Sequence, residues 1–557
     1  MRWYGVIFYM NEYTMTSGQK RTAVIFTIVI LCFSLLFLRI FLVATGDNLQ
    51  TVAKSQSSYI LTVDESRGTI YDCNLQPMVN REDSYILSIL PCDEAAAAVA
   101  DTLPAGEGVK ALNLFESGKP FLQRADTPYI YAKGIDVFTV KNRYAEAQPA
   151  AHVIGHLDSE GRGAMGIEKA YDDLLTSNSG KLSITYTVDA LRHPLANVTP
   201  EVTREGYENP QGVVLTLDRE IQLIAEEEGA RLIQKGAVII MEAATGKIRA
   251  AASFPTFSPT DLAASLNDEN APLVNRCFAA YNVGSTFKLS GLAAALEAGI
   301  PTDYTYTCVG RIDAGPLAFF CHNRAGHGEL DMNGALEHSC NPYFINLGRE
   351  TGYDKLYEMA VRMGFGRADE LGQGIKTASG TLPTMESLQN LAVLANFSFG
   401  QGELTATPIQ IAKLIAVFAN GGKMVYPSIV EGISDVNGTQ VQTPYEGPEA
   451  YQVVSQSIAE TVREMMVNVV EAGSGTNAKP IKNGAGGKTG SAQTGVYEGD
   501  TEIVHAWFSG FFPAENPKYV IVVLNEGMDS GGDYSAPVFK EIADRVQNLE
   551  MRRAEAK

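Results

Sequence analysis

The longest apolar run of the chain lies near its N-terminus. Residues 22–44 are apolar with few interruptions, and Arg39, near the end of the run, carries its only charge. A helix rises about 1.5 Å per residue, so a run of this length spans a hydrocarbon core of about 30 Å. The pattern therefore predicts one transmembrane helix, in which the Arg39 side chain can extend to the lipid headgroups.

The charges that flank this run predict its orientation. Lys20 and Arg21 precede it and Asp47 follows it. Positive side chains favour the cytoplasmic side, so residues 1–21 are expected inside the cell and the chain after about residue 45 outside. A cleaved signal peptide is the alternative, but the run is long for one and ends in a poor cleavage site. We therefore expect a single-pass protein of the cell membrane with its main domains on the outer face.

Residues 45–211 combine short apolar stretches with polar turns. Strands are predicted at 58–63, 84–90 and 182–188. Helical periodicity is confined to about 94–103. This segment is expected to form an elongated, β-rich pedestal without catalytic residues, and a loop rich in Glu, Gly and Pro at 201–212 is expected to close it.

The pattern changes after residue 212, where helices alternate with apolar strands. Asp218 is the predicted N-cap of the first helix. Because strands lie at both ends of this segment, we expect an α+β domain at 212–550, with one antiparallel sheet between helices and a short tail at 551–557. The predicted strands are 237–241, 248–253, 506–512 and 519–524, and the predicted helices are 219–234, 285–296 and 536–548.

Composition limits the classes of protein to which the chain can belong. Its 557 residues are too many for one ordinary domain, and 45% of them are apolar, which is enough to form packed cores. The formal net charge is -20. Because phosphate backbones bind basic surfaces, nucleic acid is not expected as a partner.

Three of the seven cysteines lie close together in the sequence with a histidine among them. Cys308, Cys321 and Cys340 can form a disulfide, which chemistry outside the cytoplasm allows. Together with His327 they can instead hold zinc, although the gaps are wider than in common zinc fingers. A third interpretation is that they are small buried side chains. The sequence leaves these alternatives open.

The first candidate for chemistry is the pair Ser285 and Lys288. Residues three apart lie on one face of a helix, so the hydroxyl and the amine are expected side by side near a helix N-terminus. A serine becomes a good nucleophile when a neighbouring base takes its proton, and a desolvated lysine can be that base. The backbone N–H of Ser285 at the helix start can bind an oxyanion.

A second motif consists of Ser339 and Asn341 on either side of Cys340. The hydroxyl can relay a proton, and the carboxamide can hold a substrate amide. By itself this pattern is common, and its usual role is to cap a helix or a turn.

The third motif begins at Lys488 and continues with Thr489, Gly490 and Ser491. The lysine and threonine can bind a carboxylate, and the glycine lets a backbone approach a ligand closely. A phosphate-binding loop is excluded here, because Lys482 stands where that motif requires glycine.

The order of the three motifs is that of the serine enzymes that bind penicillin. Around these motifs the chain resembles a class B penicillin-binding protein, although residues 73–75 depart from the usual Arg-Asn-Gly. The stretches that carry the resemblance are 281–288, 338–341, 487–494 and 506–513, and upstream 67–72, 152–155, 166–169 and 236–255.

This resemblance implies a peptidoglycan D,D-transpeptidase, a target of β-lactams, with a penicillin-binding transpeptidase domain. Ser285 would attack the penultimate D-alanine of a stem peptide, with Lys288 as base. Ser339 would pass a proton to the leaving D-alanine with support from Lys488, and Asn341 would hold the substrate amide.

The remaining expectations concern binding and partners. By the same resemblance, Thr489 with Lys488 would bind the terminal carboxylate, Gly490 would lie against the substrate, and Ser491 would share the oxyanion with Ser285. No cofactor and no catalytic metal are expected. The expected partners are stem peptides, nascent glycan strands and a multi-span glycan polymerase.

Other functions remain as alternatives at this stage. A D,D-carboxypeptidase or a β-lactamase would use the same acyl-enzyme but let water resolve it. A β-lactam-binding sensor or a scaffold would need no turnover. Most carboxypeptidases lack a long pedestal and sensors need a multi-span region, so the transpeptidase is the leading hypothesis.

Overall fold

The computed structural model of the protein describes residues 16–45, 56–100, 113–195 and 198–556. The described residues fall into two compact units that interleave along the chain. The first takes in those of Met1–Asp64, Tyr85–Thr139 and Lys181–Arg204, and the second those of Glu65–Ser84, Val140–Gly180 and Glu205–Lys557.

The predicted membrane segment is a helix, Ser17–Thr45, that begins five residues before the apolar run. It has 29 residues and a mean hydropathy of 2.7 in its most apolar window, which is long and apolar enough to cross a membrane. None of its side chains is buried within the protein. The first 15 residues of the predicted cytoplasmic tail, and Asp47, lie outside the described residues.

The first unit contains two small sheets and the predicted helix, Asp93–Ala100. Residues 101–103 of that prediction lie outside the described part of the chain. Phe121, Leu87 and Ile89 form a small core with Ala95 and Val99 of the helix. The two sheets consist of Ser58–Ser66, Gly180–Thr187 and Glu201–Glu205, and of Phe121–Ala125, Glu82–Ile89 and Ile135–Asn142.

Residues Glu201–Glu205 form a strand, so the sequence prediction of a loop is wrong for this stretch. It pairs with the strand Gly180–Thr187. Four of its five side chains are exposed, and the apolar Val202 is among them. An edge strand of this kind has no buried apolar face, and so it lacks the pattern by which strands are recognised.

A five-stranded antiparallel sheet is the centre of the second unit. The strands lie in the order Ile248–Phe254, Gly236–Glu242, Tyr519–Glu526, Thr501–Phe512 and Gly486–Glu498. Strands from the two ends of the segment therefore pair directly. This arrangement confirms the predicted fold class. The strands are β1 (Gly236–Glu242), β2 (Ile248–Phe254), β3 (Gly486–Glu498), β4 (Thr501–Phe512) and β5 (Tyr519–Glu526).

Helices cover both faces of this sheet. The side chain of Asp218 accepts hydrogen bonds from the first turn of the helix Arg219–Leu232, as predicted. Six helices are used below: α1 (Arg219–Leu232), α2 (Lys288–Glu297), α3 (Asn341–Thr351), α4 (Pro408–Ala419), α5 (Gln456–Glu471) and α6 (Ala536–Glu555).

Alternate residues of the sheet enter two different cores. Val238 and Ile240 of β1 pack with α1 and α6. Ile239 and Met241 of the same strand pack with α2, α4 and α5. Since successive side chains of a strand point to opposite faces, the sheet is buried on both sides. It therefore forms a rigid support for the start of α2, and β3 is one of its own edge strands.

A second sheet joins part of the predicted pedestal to the catalytic segment. Thr69–Tyr71 lies parallel to Gly212–Leu215, which pairs antiparallel with Val430–Ser434, and Val441–Pro444 completes the sheet. Residues 65–84 and 140–180 accordingly pack with the second unit. The boundary at residue 212 remains a prediction.

The remaining elements of the second unit are short. The helices are Ala151–Ile154, Gly166–Ala170, Asp172–Ser177, Ala263–Leu266, Met332–Glu337, Tyr353–Arg362 and Leu391–Ser398; the strands are Tyr281–Asn282, Tyr306–Cys308, Arg311–Ala314, Leu317–Phe320, Gly328–Leu330, Glu370–Gly372, Ile375–Lys376, Thr405–Ala406, Lys423–Met424 and Tyr451–Gln452.

A buried ion cluster links two of the upstream stretches that carry the family resemblance, 67–72 and 166–169. The Glu168 carboxylate is fully buried and accepts from Arg67 Nε at 2.9 Å and from Arg143 Nε at 2.7 Å. The Tyr144 hydroxyl donates to the same carboxylate at 3.0 Å. Asp172 binds the Arg67 guanidinium from its other side. These contacts fix the segments around residues 67 and 168 against each other.

Glu168→Gln is expected to lower the thermal midpoint of unfolding clearly. It removes the one charge that two largely buried guanidinium groups share, and breaking a buried ion pair costs about 3–5 kcal/mol. Differential scanning calorimetry would measure the shift. Asp83→Asn is the control, since the pair of Asp83 with Lys141 is exposed and contributes about 1 kcal/mol or less. Equal shifts for the two variants would contradict the prediction.

Candidate active site

Ser285 lies in a tight turn at the start of α2. Residues Gly284–Phe287 form a 3-10 turn, and the α-helix begins at Lys288. The predicted helix at 285–296 is therefore present, with its first turn wound more tightly than expected. Ser285 is half-buried, whereas Lys288 is completely buried.

Two glycines allow β3 to contact this turn. A Cβ on Gly490 would lie 2.9 Å from Thr286 Oγ1, and a Cβ on Gly284 would lie 2.8 Å from the carbonyl oxygen of Ser491. Gly284 also has a φ of 62°, which favours glycine. The absence of side chains at these positions brings the backbone of β3 to the nucleophile.

The second motif meets Lys288 from the opposite direction. Ser339 immediately precedes Cys340, the N-cap of α3, and Asn341 is the first residue of that helix. The Lys288 ammonium donates to the Ser339 carbonyl at 2.8 Å, to Ser339 Oγ at 3.1 Å and to Asn341 Oδ1 at 2.8 Å. Ser339 has a φ of 52°, a left-handed conformation that costs energy in a residue with a side chain.

Lys488 completes the group from β3. Its ammonium donates to Ser339 Oγ at 3.0 Å and to the carbonyl and hydroxyl oxygens of Thr489 at 2.9 and 3.2 Å. The hydroxyl of Ser339 therefore lies between two lysine side chains, Lys288 and Lys488. The structure brings together residues from three distant stretches of the chain.

Burial controls the proton affinity of both amines. It lowers the pKa of Lys288 to about 7, although the nearby Cys340 and Cys321 thiols oppose the shift. Burial also holds the pKa of Lys488 well below its usual value, and the charge of Lys288 lowers it further. Like charges that share a site disfavour each other, so the pair favours one neutral amine near neutral pH.

An open cleft of about 490 Å³ runs along this group. Ser285, Ser339, Asn341, Thr489 and Ser491 line it, so five of the eight predicted site residues face the cleft. Lys288 and Lys488 lie behind its wall and reach it through Ser339, and Gly490 lies between the strand and the serine turn. The geometry can support proton transfer between a nucleophilic serine and a buried base.

Sequence reasoning missed several other residues that line the cleft. Ser474 Oγ lies 2.8 Å from Thr489 Oγ1, and Ser474 follows α5 in a run of small residues. The segment 529–533 contributes Asp529 and Asp533 to the lining. A Gly-Ser-Gly run such as 473–475 is typical of a turn, but nothing in the sequence places it beside Thr489.

Comparison with known proteins agrees with the family resemblance of the sequence motifs. Residues 236–544, more than half of the chain, match the family described as the penicillin binding protein transpeptidase domain. Stage V sporulation protein D of Bacillus subtilis is 28% identical over 89% of this chain and 80% of its own length. Peptidoglycan D,D-transpeptidase PbpA of Mycolicibacterium smegmatis is 30% identical over 71% of this chain and 82% of its own length.

A solved structure shares the fold. The D,D-transpeptidase domain of a peptidoglycan glycosyltransferase from Eggerthella lenta aligns with a TM-score of 0.62 and 26% identity, and covers 87% of this chain and 100% of that one. The resemblance found in the sequence is thereby confirmed. The chain belongs to the penicillin-binding protein transpeptidases, and within them to class B.

Proposed function

We propose that the protein is a peptidoglycan D,D-transpeptidase that forms an acyl-enzyme on Ser285. The observation that carries this proposal is the Ser339 hydroxyl held at 3.1 Å from Lys288 Nζ and at 3.0 Å from Lys488 Nζ, in the cleft that Ser285 also lines. Such a chain can move a proton from an attacking serine to a leaving amine. The named activity of the PbpA relative supports the same reaction.

Acylation begins at Ser285. Its Oγ attacks the carbonyl carbon of the penultimate D-alanine, and neutral Lys288 takes the proton that Oγ loses. The backbone N–H groups of Ser285 and Ser491 bind the oxygen of the tetrahedral intermediate, since β3 brings the second of these groups to the serine turn. Lys288 is suited to this role because burial lowers its pKa to about 7.

Release of the terminal D-alanine requires a proton on its nitrogen. Ser339 Oγ donates this proton and regains one from the lysine pair on either side. Asn341 directs its carboxamide NH2 to the substrate, because its Oδ1 is already bound to Lys288. Thr489, in contact with Ser474 and Lys488, binds the terminal carboxylate. Gly490, which has no side chain, lets β3 lie against the turn that carries Ser285.

The second half of the reaction separates this function from its alternatives. An amine of a neighbouring stem peptide attacks the acyl-enzyme and forms the cross-link. In a carboxypeptidase or a β-lactamase, water would attack instead. A sensor or scaffold would not need the second step.

Mass spectrometry of the protein with benzylpenicillin tests this proposal. We expect one penicilloyl group per chain on the peptide that contains Ser285, stable for many minutes after excess drug is removed. With a stem-peptide thioester and a D-amino acid acceptor, we expect the amide product to exceed the hydrolysis product. Rapid release of penicilloic acid would indicate a β-lactamase, and hydrolysis without amide formation would indicate a carboxypeptidase.

The rate of acylation by penicillin is expected to rise with pH through about 7 and then to level off. The amine of Lys288 is mostly protonated below its pKa of about 7, and only the neutral form accepts the serine proton. The rate should therefore fall about tenfold for each pH unit below that value. Stopped-flow fluorescence between about pH 5 and pH 9 measures it, and a rate independent of pH would contradict Lys288 as the base.

The helix Ser17–Thr45 is proposed as an uncleaved anchor that leaves the transpeptidase domain on the outer face of the cytoplasmic membrane. Its length and hydropathy support this role, and Lys20 and Arg21 support the orientation. Retention in membranes washed with alkaline carbonate would test the anchor. Release of the domain into the soluble fraction would show that the helix is a cleaved signal.

A multi-span glycan polymerase is proposed as the partner, because a cross-linking enzyme acts on strands as they are made. The apolar surface of Ser17–Thr45 offers a helix that can pack beside other spans in the membrane. Crosslinking in living cells from positions along this helix would test the contact. Crosslinks to no integral membrane protein would contradict it.

A further inference from the structure

The four residues that the sequence left unassigned meet at one point of the second unit. One ligand atom from each of Cys308, Cys321, His327 and Cys340 lies within 4.8 Å of all the others. The three cysteines are buried, and the histidine is half-buried. They come from different elements, so no short helix or turn forces them together.

Two β-ribbons and a helix end build the cluster. Cys308 ends the strand Tyr306–Cys308 and pairs with Gly328, which places His327 beside it. Cys321 follows the strand Leu317–Phe320, and its N–H donates to the Gly310 carbonyl at 3.0 Å. Cys340 stands at the N-cap position of α3.

A glycine in the loop before His327 allows this close approach. Gly326 has a φ of 86°, and a Cβ there would lie 2.3 Å from the Cys308 carbonyl oxygen. The loop that presents His327 is thereby pressed against the end of the strand that presents Cys308.

The distances suit a tetrahedral metal ion. Around zinc, neighbouring sulfur and nitrogen ligands are roughly 3.6–3.8 Å apart, given bonds of about 2.3 Å to sulfur and 2.0 Å to nitrogen. Cys321 Sγ lies 3.4 Å from His327 Nδ1. The widest pair needs to close by about 1 Å, which small rotations of the cysteine side chains provide.

A disulfide accounts for the cluster less well than a metal does. Among the described residues the three thiols are unbonded. A bond between any two of them would leave the third thiol and His327 Nδ1 in the same buried space with no function. Three thiolates and one imidazole form a complete structural zinc site, and soft sulfur ligands of this kind select zinc over calcium or magnesium.

We propose that Cys308, Cys321, His327 and Cys340 bind one zinc ion that holds the catalytic loop in place. Cys340 lies between Ser339 and Asn341, whose side chains both contact Lys288. Ser339 also holds a left-handed backbone conformation, which persists only where its surroundings fix it. A bond from zinc to Cys340 Sγ fixes this loop at the residue between Ser339 and Asn341. Zinc acts here on structure and takes no part in acyl transfer.

Metal and thiol counts on the full-length chain, purified in detergent from zinc-supplemented cells, test the binding. We expect about one zinc per chain by plasma mass spectrometry and, after denaturation with chelator, all seven cysteines as free thiols. Cys308→Ser should lose the zinc. Cys277→Ser, which replaces a buried cysteine outside the cluster, should keep it.

Any other result of the metal and thiol counts would contradict the proposed zinc site. Two thiols fewer than seven and no zinc would show a disulfide. Seven thiols and no zinc would show unliganded cysteines. Equal zinc in wild type and Cys308→Ser would place the metal elsewhere in the chain.

The effect of zinc on the catalytic loop rests on the proposed function. It is measured by the rate of acylation, separately from the metal count. Removal of zinc from the wild-type protein by a chelator should slow acylation by penicillin by about tenfold or more, the usual scale for loss of a supporting contact. Addition of zinc should restore the rate, and addition of magnesium should not. An unchanged rate would overturn the link to the loop. Zinc-loaded protein that never reacts with penicillin would instead contradict the role of Ser285, because the metal count does not depend on acylation.

Discussion

Ser285→Ala is expected to abolish covalent attachment of penicillin and to reduce transpeptidation by on the order of a million-fold, as in other serine enzymes that lose the nucleophile. The side chain lines the cleft beside Ser339 and Asn341. Thr286 and Ser290, the other hydroxyl residues of the same turn and helix, are buried and do not line the cleft, so neither can replace it. Gel fluorescence with a labelled penicillin measures the attachment.

Ser290→Ala is the matched control for this prediction. Ser290 lies on the same helix, is 1% exposed and has a hydroxyl without a hydrogen-bond partner among the described residues. We expect this variant to label like wild type. Persistent labelling of Ser285→Ala at the same rate would place the nucleophile at another residue.

Lys288→Ala is expected to slow acylation by about 10²–10⁴-fold, the contribution typical of a general base. The substitution also removes the donor that holds Ser339 and Asn341. The rate constant for acylation by a chromogenic cephalosporin measures the effect, and a thermal melt shows whether the variant is folded.

Lys288→Arg separates the two roles of this side chain. Arginine keeps a positive charge and hydrogen-bond donors, but its pKa is too high for it to accept a proton near neutral pH. We therefore expect Lys288→Arg to remain as slow as Lys288→Ala. A rate close to wild type would show that Lys288 acts by charge and position, and that another group takes the serine proton.

The strands of the central sheet could be predicted because their patterns are local. The run at 237–241 lies within β1, and 519–524 lies within β5, since these strands are apolar on both faces. Asp218 was a correct N-cap because a side-chain acceptor before a helix acts on the nearest backbone N–H groups. The class of protein was also predictable, since each of the three motifs is contiguous.

Features that depend on tertiary contacts could not be predicted in this way. The closing helix α6 runs to Glu555, beyond the predicted end at 548, although its last residues are polar. Arg553 explains the extension, because it forms ion pairs with Asp218 and Glu220 at 2.6 Å. Partners more than 300 residues away leave no local pattern in the sequence.

The contacts of the cleft show the same limitation. Ser474 meets Thr489 because α5 ends beside β3, and the Gly-Ser-Gly run itself indicates a turn and no partner. The convergence of three cysteines and a histidine likewise depends on the pairing of Tyr306–Cys308 with Gly328–Leu330. The sequence showed which residues have suitable chemistry, and folding decided which of them meet.

The hydroxyl pair of Ser474 and Thr489 has a consequence for drug tolerance. A β-lactam carries a carboxylate where the stem peptide ends in one, so Thr489, which is proposed above to bind that carboxylate and which contacts Ser474, would recognise inhibitor and substrate alike. A substitution that weakens drug binding at this point also impairs growth of the wall. Selection under antibiotic treatment should therefore favour changes elsewhere in the lining of the cleft, such as the segment 529–533, to which the proposal assigns no contact with that carboxylate.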